Sequence, residues 1–563
     1  MIVLGCIGVL IVLFCLWRGR EMFKEGEAAS DTLFKNDKWA VAALFFIALA
    51  VRLWQFGIIP YGVNQDEAMA AVDAKALSMY ATDRYGMFMP VHFTAWGYGQ
   101  MSVLLSYAMI PFIKLLGYNL VAIRLPLLLF SMLGLWAVYK VSRLAFGDKI
   151  AFFALLICSL NPWHFMQSRW SMDCNLFPHV LWLGIAFMVM GIKKKRYLYI
   201  SMIFFALCMY CYGVSLYSVP FFLVVMCIYL LRKRLVTIVE VGVSAFIYLL
   251  ISWPFYLTMA INTFKWETIS TPFFTMPFFK DSVRAKDILF FSETPLSQFF
   301  ANIKSLGMIF VDTKYLNCNY VIGYAPIFLF LLPFALVGLM LLIRMLQKKK
   351  VDADMLDAEP VTDRVSGVAK AAVLVSFLMA VWTGILTNNV NVNRINIVFY
   401  PVLIFSAIGI SYAVSVLKKL SLLMVPIAAF MVVSFFVAYF GRYANDYKVL
   451  CYTDFMGAVT YLGSADTDRL VITPDSQYAG AYHVSEIITL FALDIDARYY
   501  QNLYSDQHGL YYTDKCIYAK TADVMGYMPE GTGYVTTYDE LYLFDEAYYD
   551  LYAFNYYIVA VPK

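Results

Sequence analysis

Residues 58–100 read IIPYGVNQDEAMAAVDAKALSMYATDRYGMFMPVHFTAWGYGQ and form a polar interruption between two long apolar stretches. The interruption begins with turn residues and then places two carboxylates side by side, Asp66 and Glu67. The stretch AMAAVDAKALSMYA that follows has the composition of a helix, and turn and aromatic residues come after it. In a chain this apolar, a polar loop with paired carboxylates near a membrane surface is the first candidate for chemistry.

The composition around that loop is that of a membrane protein. Of the 563 residues, 62% are hydrophobic and 15% are charged, whereas soluble globular domains carry about 25% charged residues. Apolar runs of about 20 residues recur along the chain, and such runs are long enough to cross a bilayer as helices. We therefore predict a polytopic α-helical membrane protein.

The net charge of +4 conceals an asymmetry between the core and the C-terminal part of the chain. Residues 442–563 hold 17 acidic and 7 basic residues, and the remainder holds 22 acidic and 36 basic residues. This division indicates two compartments, and it argues against a nucleic-acid partner. Cations also cluster at alternate ends of successive apolar runs, and the positive-inside rule assigns those ends to the cytoplasm.

This alternation predicts about 12 transmembrane helices, with both termini outside. Three parts follow, namely an extra N-terminal helix with a cytoplasmic linker, a transmembrane catalytic core, and a soluble extracytoplasmic tail, which are residues 1–38, 39–441 and 442–563. The core carries two outer loops, 58–119 and 261–325. The apolar segment Met101–Gly117 is assigned to the first loop as an interfacial helix, because a crossing there would reverse the following cation clusters.

The tail is predicted to be an α/β domain. The segments RLVITP (469–474) and YYIVAVPK (556–563) are rich in residues that favour strands, and SEIITLFALD (485–494) has helical spacing of its apolar residues.

Two further outer segments carry polar groups that are costly at membrane depth and are usually functional there. They are NPWHFMQSRWSMDCNLFP (161–178) and TNNVNVNRINIVFYP (387–401). Their candidate site residues are His164, Arg169, Asp173, Asn175 and Arg394. Each also has a structural interpretation. A lone Arg snorkels to the headgroups, a His beside a Trp anchors at the interface, and an Arg four residues before an Asp forms a helical ion pair.

The residue types narrow the reaction. A carboxylate on the outer face can act as general base towards a hydroxyl or amine, and an Arg at the same level can hold a phosphate through paired hydrogen bonds. Because nucleotide-activated donors are made in the cytoplasm, an outer-face transferase needs a donor already attached to a lipid. The combination therefore indicates group transfer from a lipid phosphate. Adjacent helical residues point in different directions, so Asp66 and Glu67 cannot both be the same base.

These segments resemble the type C (GT-C) glycosyltransferases, and specifically the polyprenyl-phosphate-sugar-dependent group that includes protein O-mannosyltransferases and the lipid A aminoarabinose transferase. The resemblance rests on the Asp66–Glu67 pair, on RLPLLLFSMLGLWAVYKVSRLAFG (124–147) and on residues 161–178. It covers about residues 39–445 and implies a GT-C-like fold for the core.

The resemblance also implies roles for individual residues. Asp66 corresponds to the catalytic carboxylate of the first loop, with Glu67 beside it, and Asp173 to the acidic position of the second outer loop. Arg394 is the best match to a late basic residue that contacts the carrier phosphate, and Arg169 is a second candidate. The aromatic residues predicted to contact a sugar or to anchor at the interface are Trp96, Tyr98 and Trp163.

The sequence thus predicts an inverting glycosyltransferase in a bacterial cell membrane, with its active site and tail on the extracytoplasmic side. Its partners would be the bilayer, a polyprenyl-phosphate sugar donor, and a glycan, lipid or protein acceptor. No spacing typical of metal ligands occurs, so no metal site is predicted, although a divalent cofactor stays open. The alternatives are a flippase for lipid-linked sugars and a surface assembly protein that acts through its tail.

Overall fold

The computed structural model describes twelve segments of the chain, which are residues 2–26, 38–95, 100–280, 288–311, 321–347, 360–445, 452–475, 482–501, 505–506, 509–511, 513 and 515–563. The N-terminal four-fifths of this part is helical, and the C-terminal part contains a sheet.

The helices before the C-terminal domain are α1 (Ile2–Arg18), α2 (Arg20–Lys24), α3 (Lys38–Leu53), α4 (Gln65–Tyr80), α5 (Leu104–Leu116), α6 (Leu120–Phe146), α7 (Asp148–Leu160), α8 (Pro162–Gln167), α9 (Asp173–Gly191), α10 (Lys195–Leu207), α11 (Ser215–Arg232), α12 (Ile238–Phe264), α13 (Pro295–Met308), α14 (Leu332–Gln347), α15 (Val361–Leu386), α16 (Phe399–Val416) and α17 (Ser421–Ala438). Two short antiparallel pairs lie in the loops predicted to be outer ones. They are β1 (Phe93–Thr94) with β2 (Gln100–Met101), and β3 (Ile269–Ser270) with β4 (Thr275–Met276).

Within the described residues, eight helical segments are long and apolar enough to cross a membrane. They contain α6, α9, α11, α12, α14, α15, α16 and α17. The predicted polytopic helical fold is therefore confirmed, but the count of about 12 spans is not. The other four predicted spans are helices of 17, 16, 13 and 13 residues, namely α1, α3, α7 and α10. At about 1.5 Å per residue, these are shorter than a 30 Å hydrocarbon core.

The first outer loop is organised by two packed helices. The predicted helix after the carboxylate pair is present as α4, in which every residue from Glu67 to Leu77 is buried. Five alanines lie among those eleven residues, and their small side chains allow neighbouring elements to approach from several sides. The segment predicted to lie along the membrane forms α5, which has 13 residues and packs between α4 and α6. Its length falls short of a span.

The C-terminal domain is built on a mixed sheet of seven strands in the order β10-β11-β9-β5-β8-β7-β6. The strands are β5 (Arg469–Ile472), β6 (Ser505–Asp506), β7 (Gly509–Tyr511), β8 (Cys516–Tyr518), β9 (Thr532–Thr537), β10 (Tyr549–Phe554) and β11 (Tyr557–Pro562). The helices are α18 (Thr453–Ser464), α19 (Tyr482–Ala492), α20 (Ala497–Gln501) and α21 (Thr521–Val524). Strand β5 is parallel to β8 and β9, while the remaining pairs are antiparallel. The predicted strands and helix appear as β5, β11 and α19.

This domain is attached to the first outer loop through α4. The ammonium group of Lys75 donates hydrogen bonds to the backbone oxygens of Asp494 and Ile495, at 2.6 and 2.8 Å, and to the Asp494 carboxylate at 2.5 Å. These carbonyls lie just beyond the end of α19. The Tyr80 hydroxyl also donates to the Asp496 carboxylate at 2.9 Å. The tail therefore contacts the helix that carries the carboxylate pair.

Candidate active site

The carboxylate pair lies in the first turn of α4, where a capping box fixes the backbone. The side chain of Asn64 accepts a hydrogen bond from the backbone N–H of Asp66 at 2.9 Å, and the Glu67 carboxylate accepts one from the backbone of Asn64 at 3.4 Å. Successive residues on a helix are about 100° apart. The two neighbours consequently have different surroundings, with Glu67 fully buried and Asp66 partly exposed.

Glu67 is held in a two-point ion pair with Arg124 of α6. The guanidinium donates from Nε to Oε1 at 2.8 Å and from Nη2 to Oε2 at 2.9 Å, and both side chains are 0% exposed. Arg124 also donates to the backbone oxygens of Pro60 and Gly62. Arg124 therefore connects the Glu67 carboxylate and the turn before α4 to the N-terminal part of α6.

The second outer segment joins the same cluster. The backbone N–H of Ser171 donates to Oε1 of Glu67 at 3.1 Å, and the Ser171 hydroxyl donates to the carbonyl of Ile123 at 2.6 Å. Two residues later Asp173 begins α9 and accepts the backbone N–H of Cys174 at 2.7 Å. Both Asp66 and Asp173 interact electrostatically with the thiol of Cys174. The two predicted acidic positions thus lie at the same end of the helix bundle.

Arg394 lies in the turn that precedes α16 and is partly exposed. Asn391 accepts its backbone N–H at 3.0 Å, and its guanidinium donates to the carbonyl of Asn388 at 2.8 Å. Two residues later, the amide of Asn396 donates to the carbonyl of Cys174 at 2.6 Å. That bond ties the Arg394 turn to the start of α9, and hence to the end of the bundle where Asp66 and Asp173 lie.

Arg169 has a different environment from the one predicted for it. It is 0% exposed, and its five N–H groups donate to the backbone carbonyls of Arg52, Trp54, Gln55 and Ile59, with Ile59 accepting twice. A guanidinium has five donors, so this set engages every one of them in holding the turn after α3. The predicted phosphate contact is therefore replaced by a structural one. The alternative interpretation, a helical ion pair with Asp173, assumed a helix that is absent here, because residues 169–172 are not helical.

His164 belongs to a buried hydrogen-bond chain. Nη2 of Arg52 lies 2.8 Å from His164 Nδ1, His164 Nε2 lies 2.9 Å from the Tyr400 hydroxyl, and that hydroxyl lies 2.8 Å from His179 Nδ1. A guanidinium can only donate, so we assign the His164 proton to Nε2 and the Tyr400 proton to the bond with His179. All four side chains are 0% exposed, which places His164 in the helix packing instead of at an interface.

Of the four remaining residues predicted for the site, two are buried and two lie outside the part of the chain that the structure describes. Trp163 is 2% exposed, and its ring packs on Phe399 and Tyr400 at centroid distances of 4.9 and 5.1 Å, so it presents no free face to a sugar. Asn175 is buried and donates to the carbonyl of Trp170 at 3.1 Å. Trp96 and Tyr98 lie outside the described residues.

Sequence reasoning missed several buried partners. The residues predicted for the site do not include Arg52, Arg124, His179 or Tyr400. Arg52 and Arg124 carry one signal in the sequence, namely a charge at the end of an apolar run. Among the described residues, no group of three or more His, Cys, Asp or Glu side chains is arranged to hold a metal ion.

Comparisons with known proteins give one family match for part of the chain. Residues 101–257 match a family model described as dolichyl-phosphate-mannose-protein mannosyltransferase. No curated protein matches the sequence. The matched segment runs from α5 to α12 and includes Arg124 and Asp173 but not the Asp66–Glu67 pair. Over this segment, the match agrees with the resemblance to the type C glycosyltransferases.

Several solved structures are also similar. Cupriavidus metallidurans ArnT in the apo state is 11% identical, with a TM-score of 0.43 over 93% of this chain and 98% of that chain. The same protein bound to undecaprenyl phosphate is 13% identical, with a TM-score of 0.44 over the same shares of the two chains. The Archaeoglobus fulgidus oligosaccharyltransferase AglB, in complex with an inhibitory peptide and a dolichol-phosphate, is 13% identical, with a TM-score of 0.43 over 80% of this chain and 63% of that chain.

Proposed function

We propose that this chain is an inverting membrane glycosyltransferase that moves a sugar from a polyprenyl phosphate to an acceptor outside the cytoplasm. The family description, which names a dolichyl-phosphate sugar as donor, supports this class of substrate. The observation that carries the proposal is that the Asp66 turn and the Arg394 turn are both bonded to the segment that starts α9, through Ser171 and Cys174 respectively. Asp66 as the base and Arg394 as the phosphate-binding cation are then available at the same end of the bundle.

The reaction assigned to this pair is a single displacement. Asp66 accepts the proton of an acceptor hydroxyl as its oxygen attacks the anomeric carbon. The bond between that carbon and the phosphate oxygen breaks, and the polyprenyl phosphate leaves with the electron pair. Arg394 stabilises the charge that develops on the phosphate, through hydrogen bonds that a guanidinium presents as a planar fork. Because attack and departure occur on opposite faces, the configuration at the sugar carbon inverts.

The other polar residues have supporting roles in this proposal. Glu67 positions Asp66 and does not react, because its carboxylate is buried against Arg124 and bonded to Ser171. Asp173, at the first turn of α9, binds hydroxyl groups of the donor sugar as a hydrogen-bond acceptor. Arg169, His164, Asn175 and Trp163 maintain the scaffold, since each is buried and engaged by the protein.

We also propose that the site faces away from the cytoplasm of a bacterial cell membrane. Helices α9, α11 and α16 begin at the end of the bundle where the site lies. Their C-terminal ends lead into the cation clusters 193–196, 232–234 and 418–419. The positive-inside rule places such clusters in the cytoplasm. In this orientation the parts of the chain are an N-terminal helix and linker (1–38), the catalytic core (39–441) and an extracytoplasmic domain (442–563).

Reconstituted vesicles test the proposal against a flippase. The purified chain is incorporated into liposomes with its C-terminal domain outward, and labelled undecaprenyl-phosphate sugars are added outside, together with solubilised envelope material as acceptor. A transferase moves label into the acceptor without any donor crossing the bilayer. Label that appears inside the vesicles with no labelled acceptor would instead identify a flippase and overturn the proposal.

A further inference from the structure

A second polar site lies at the opposite end of the helix bundle from the candidate active site. A cavity of about 280 Å³ opens where the C-terminal ends of α11 and α14 meet the N-terminal half of α15. Helix α15 has 26 residues and leads from this cavity towards Thr387 and the Arg394 turn. At about 1.5 Å per residue the helix is about 39 Å long. The cavity lies along its first half, whereas the Arg394 turn follows its last residue.

The lining of the cavity combines cations with an apolar floor. Lys233, Arg364 and Lys370 contribute positive charge, and Asp363 is the one carboxylate among the lining residues. Leu374 and Val375 are among the apolar residues that line the same cavity. The lining therefore carries a net charge of +2, and its apolar residues can contact a hydrocarbon chain.

The placement of Lys370 distinguishes this lining from ordinary charges at a helix end. Asp363, Gly367, Lys370 and Leu374 follow one another at spacings of three and four residues, so they lie along one face of α15. Lys370 is partly buried and lies about two turns into that helix, where the sequence has already become apolar. Its charge is therefore part of the lining next to the apolar residues Leu374 and Val375. Gly367, one turn earlier, leaves space, since an added Cβ would meet only the Tyr229 hydroxyl, at 3.6 Å.

We infer that this cavity binds the phosphate headgroup of an anionic membrane phospholipid. The cations contact the phosphate, and the apolar floor accommodates the first carbons of an acyl chain. Basic cavities between membrane helices on the side with excess cations are typical sites for anionic headgroups. A phospholipid is favoured over a soluble anion because the floor is apolar and the cavity opens between membrane-spanning helices. The inference does not depend on the glycosyltransferase assignment, because it involves none of the active-site residues.

Native mass spectrometry of the full chain in detergent tests the inference, with phosphatidylglycerol as the probe and phosphatidylcholine as the neutral comparison. The double variant Lys233→Gln/Lys370→Gln is expected to bind phosphatidylglycerol about 30-fold more weakly, since each cation contributes about 5-fold. Gly367→Leu fills the cavity without changing its charge and is expected to lower binding to a similar extent. Arg232→Gln removes an exposed cation that does not line the cavity and should retain wild-type binding.

Several results would overturn the inference. Equal binding of the two phospholipids would remove the role of charge, and an equal loss in Arg232→Gln would remove the role of the cavity. Binding of inorganic phosphate as tight as that of phosphatidylglycerol would identify a soluble anion as the ligand. Displacement of phosphatidylglycerol by equimolar undecaprenyl phosphate would identify a site for the carrier lipid. Because the readout is lipid binding, failure here leaves the proposed transfer reaction unaffected.

Discussion

Glu67 and Arg124 are joined by two hydrogen bonds, of 2.8 and 2.9 Å, inside the protein, although 57 residues separate them in the chain. The pair connects the first turn of α4 to the first turns of α6, and a third bond from Ser171 adds the segment before α9. The partly exposed Asp66 is therefore attached to these three elements through its neighbour in the chain, Glu67. This attachment is what fixes the position of the proposed base.

Removing one partner of this pair should destabilise the protein strongly. Glu67→Gln leaves the Arg124 charge buried without its counter-ion, and losses of about 3–5 kcal/mol are typical of such changes. We expect a large fall in the midpoint of thermal unfolding in detergent. Replacing both residues, as Glu67→Gln/Arg124→Met, removes the isolated charge and should recover part of the loss. A Glu67→Gln variant as stable as the wild type would contradict the structural role assigned to this residue.

Arg169 should also affect stability more than donor binding. Lys has three donors in place of five, so Arg169→Lys leaves some of the carbonyls of residues 52–59 unpaired at a cost of about 1–3 kcal/mol each. We expect a lower unfolding midpoint and an unchanged donor KM in the protein that remains folded. A raised donor KM without loss of stability would restore the phosphate contact predicted from the sequence.

Arg394 should show the opposite behaviour. Because it is partly exposed at the site, Arg394→Gln is expected to lower kcat/KM for a polyprenyl-phosphate sugar roughly 10²–10³-fold with little change in stability. Arg394→Lys keeps the charge but not the planar fork and should retain part of the activity. Lys304→Gln removes an exposed cation from α13 and serves as the matched control. Equal kinetics for the two glutamine variants would exclude Arg394 from phosphate binding.

The contact between α4 and the C-terminal domain predicts a local effect of Lys75. This side chain is 9% exposed and donates to three oxygens beyond the end of α19, so Lys75→Met leaves those oxygens without their donor. We expect faster amide hydrogen exchange in residues 65–80 and 482–501. The exposed Lys515, in the same domain, provides the control variant Lys515→Met. Unchanged exchange in both helices would show that the tail does not stabilise α4.

The sequence was sufficient for the membrane class, the helix α4, and the strands β5 and β11. Hydropathy identifies apolar runs, but it does not determine how far each run is helical. This is why α1, α3, α7 and α10 were predicted as full spans and are shorter helices.

The roles of individual charges were harder to predict, for a physical reason. Arg169 and Glu67 resemble site residues in sequence because charge at membrane depth is costly. Inside the protein, however, the backbone carbonyls around Arg169 and the counter-ion of Glu67 lower that cost just as a ligand would. Their partners lie 110 and 57 residues away, and only the fold brings them together. Asp66 and Glu67 are adjacent on α4 and point in different directions from the helix axis. Glu67 consequently points into the protein, while Asp66 stays partly exposed.

The most direct test of the account is the rate of sugar transfer by Asp66→Asn. Labelled undecaprenyl-phosphate sugars are supplied to liposomes that contain equal amounts of wild-type or variant protein, with envelope material as acceptor. We expect unchanged folding and an initial rate roughly 10²–10⁴-fold below the wild type, because the amide cannot accept the acceptor proton. A variant that folds and transfers sugar at the wild-type rate would contradict the assignment of Asp66 as the base.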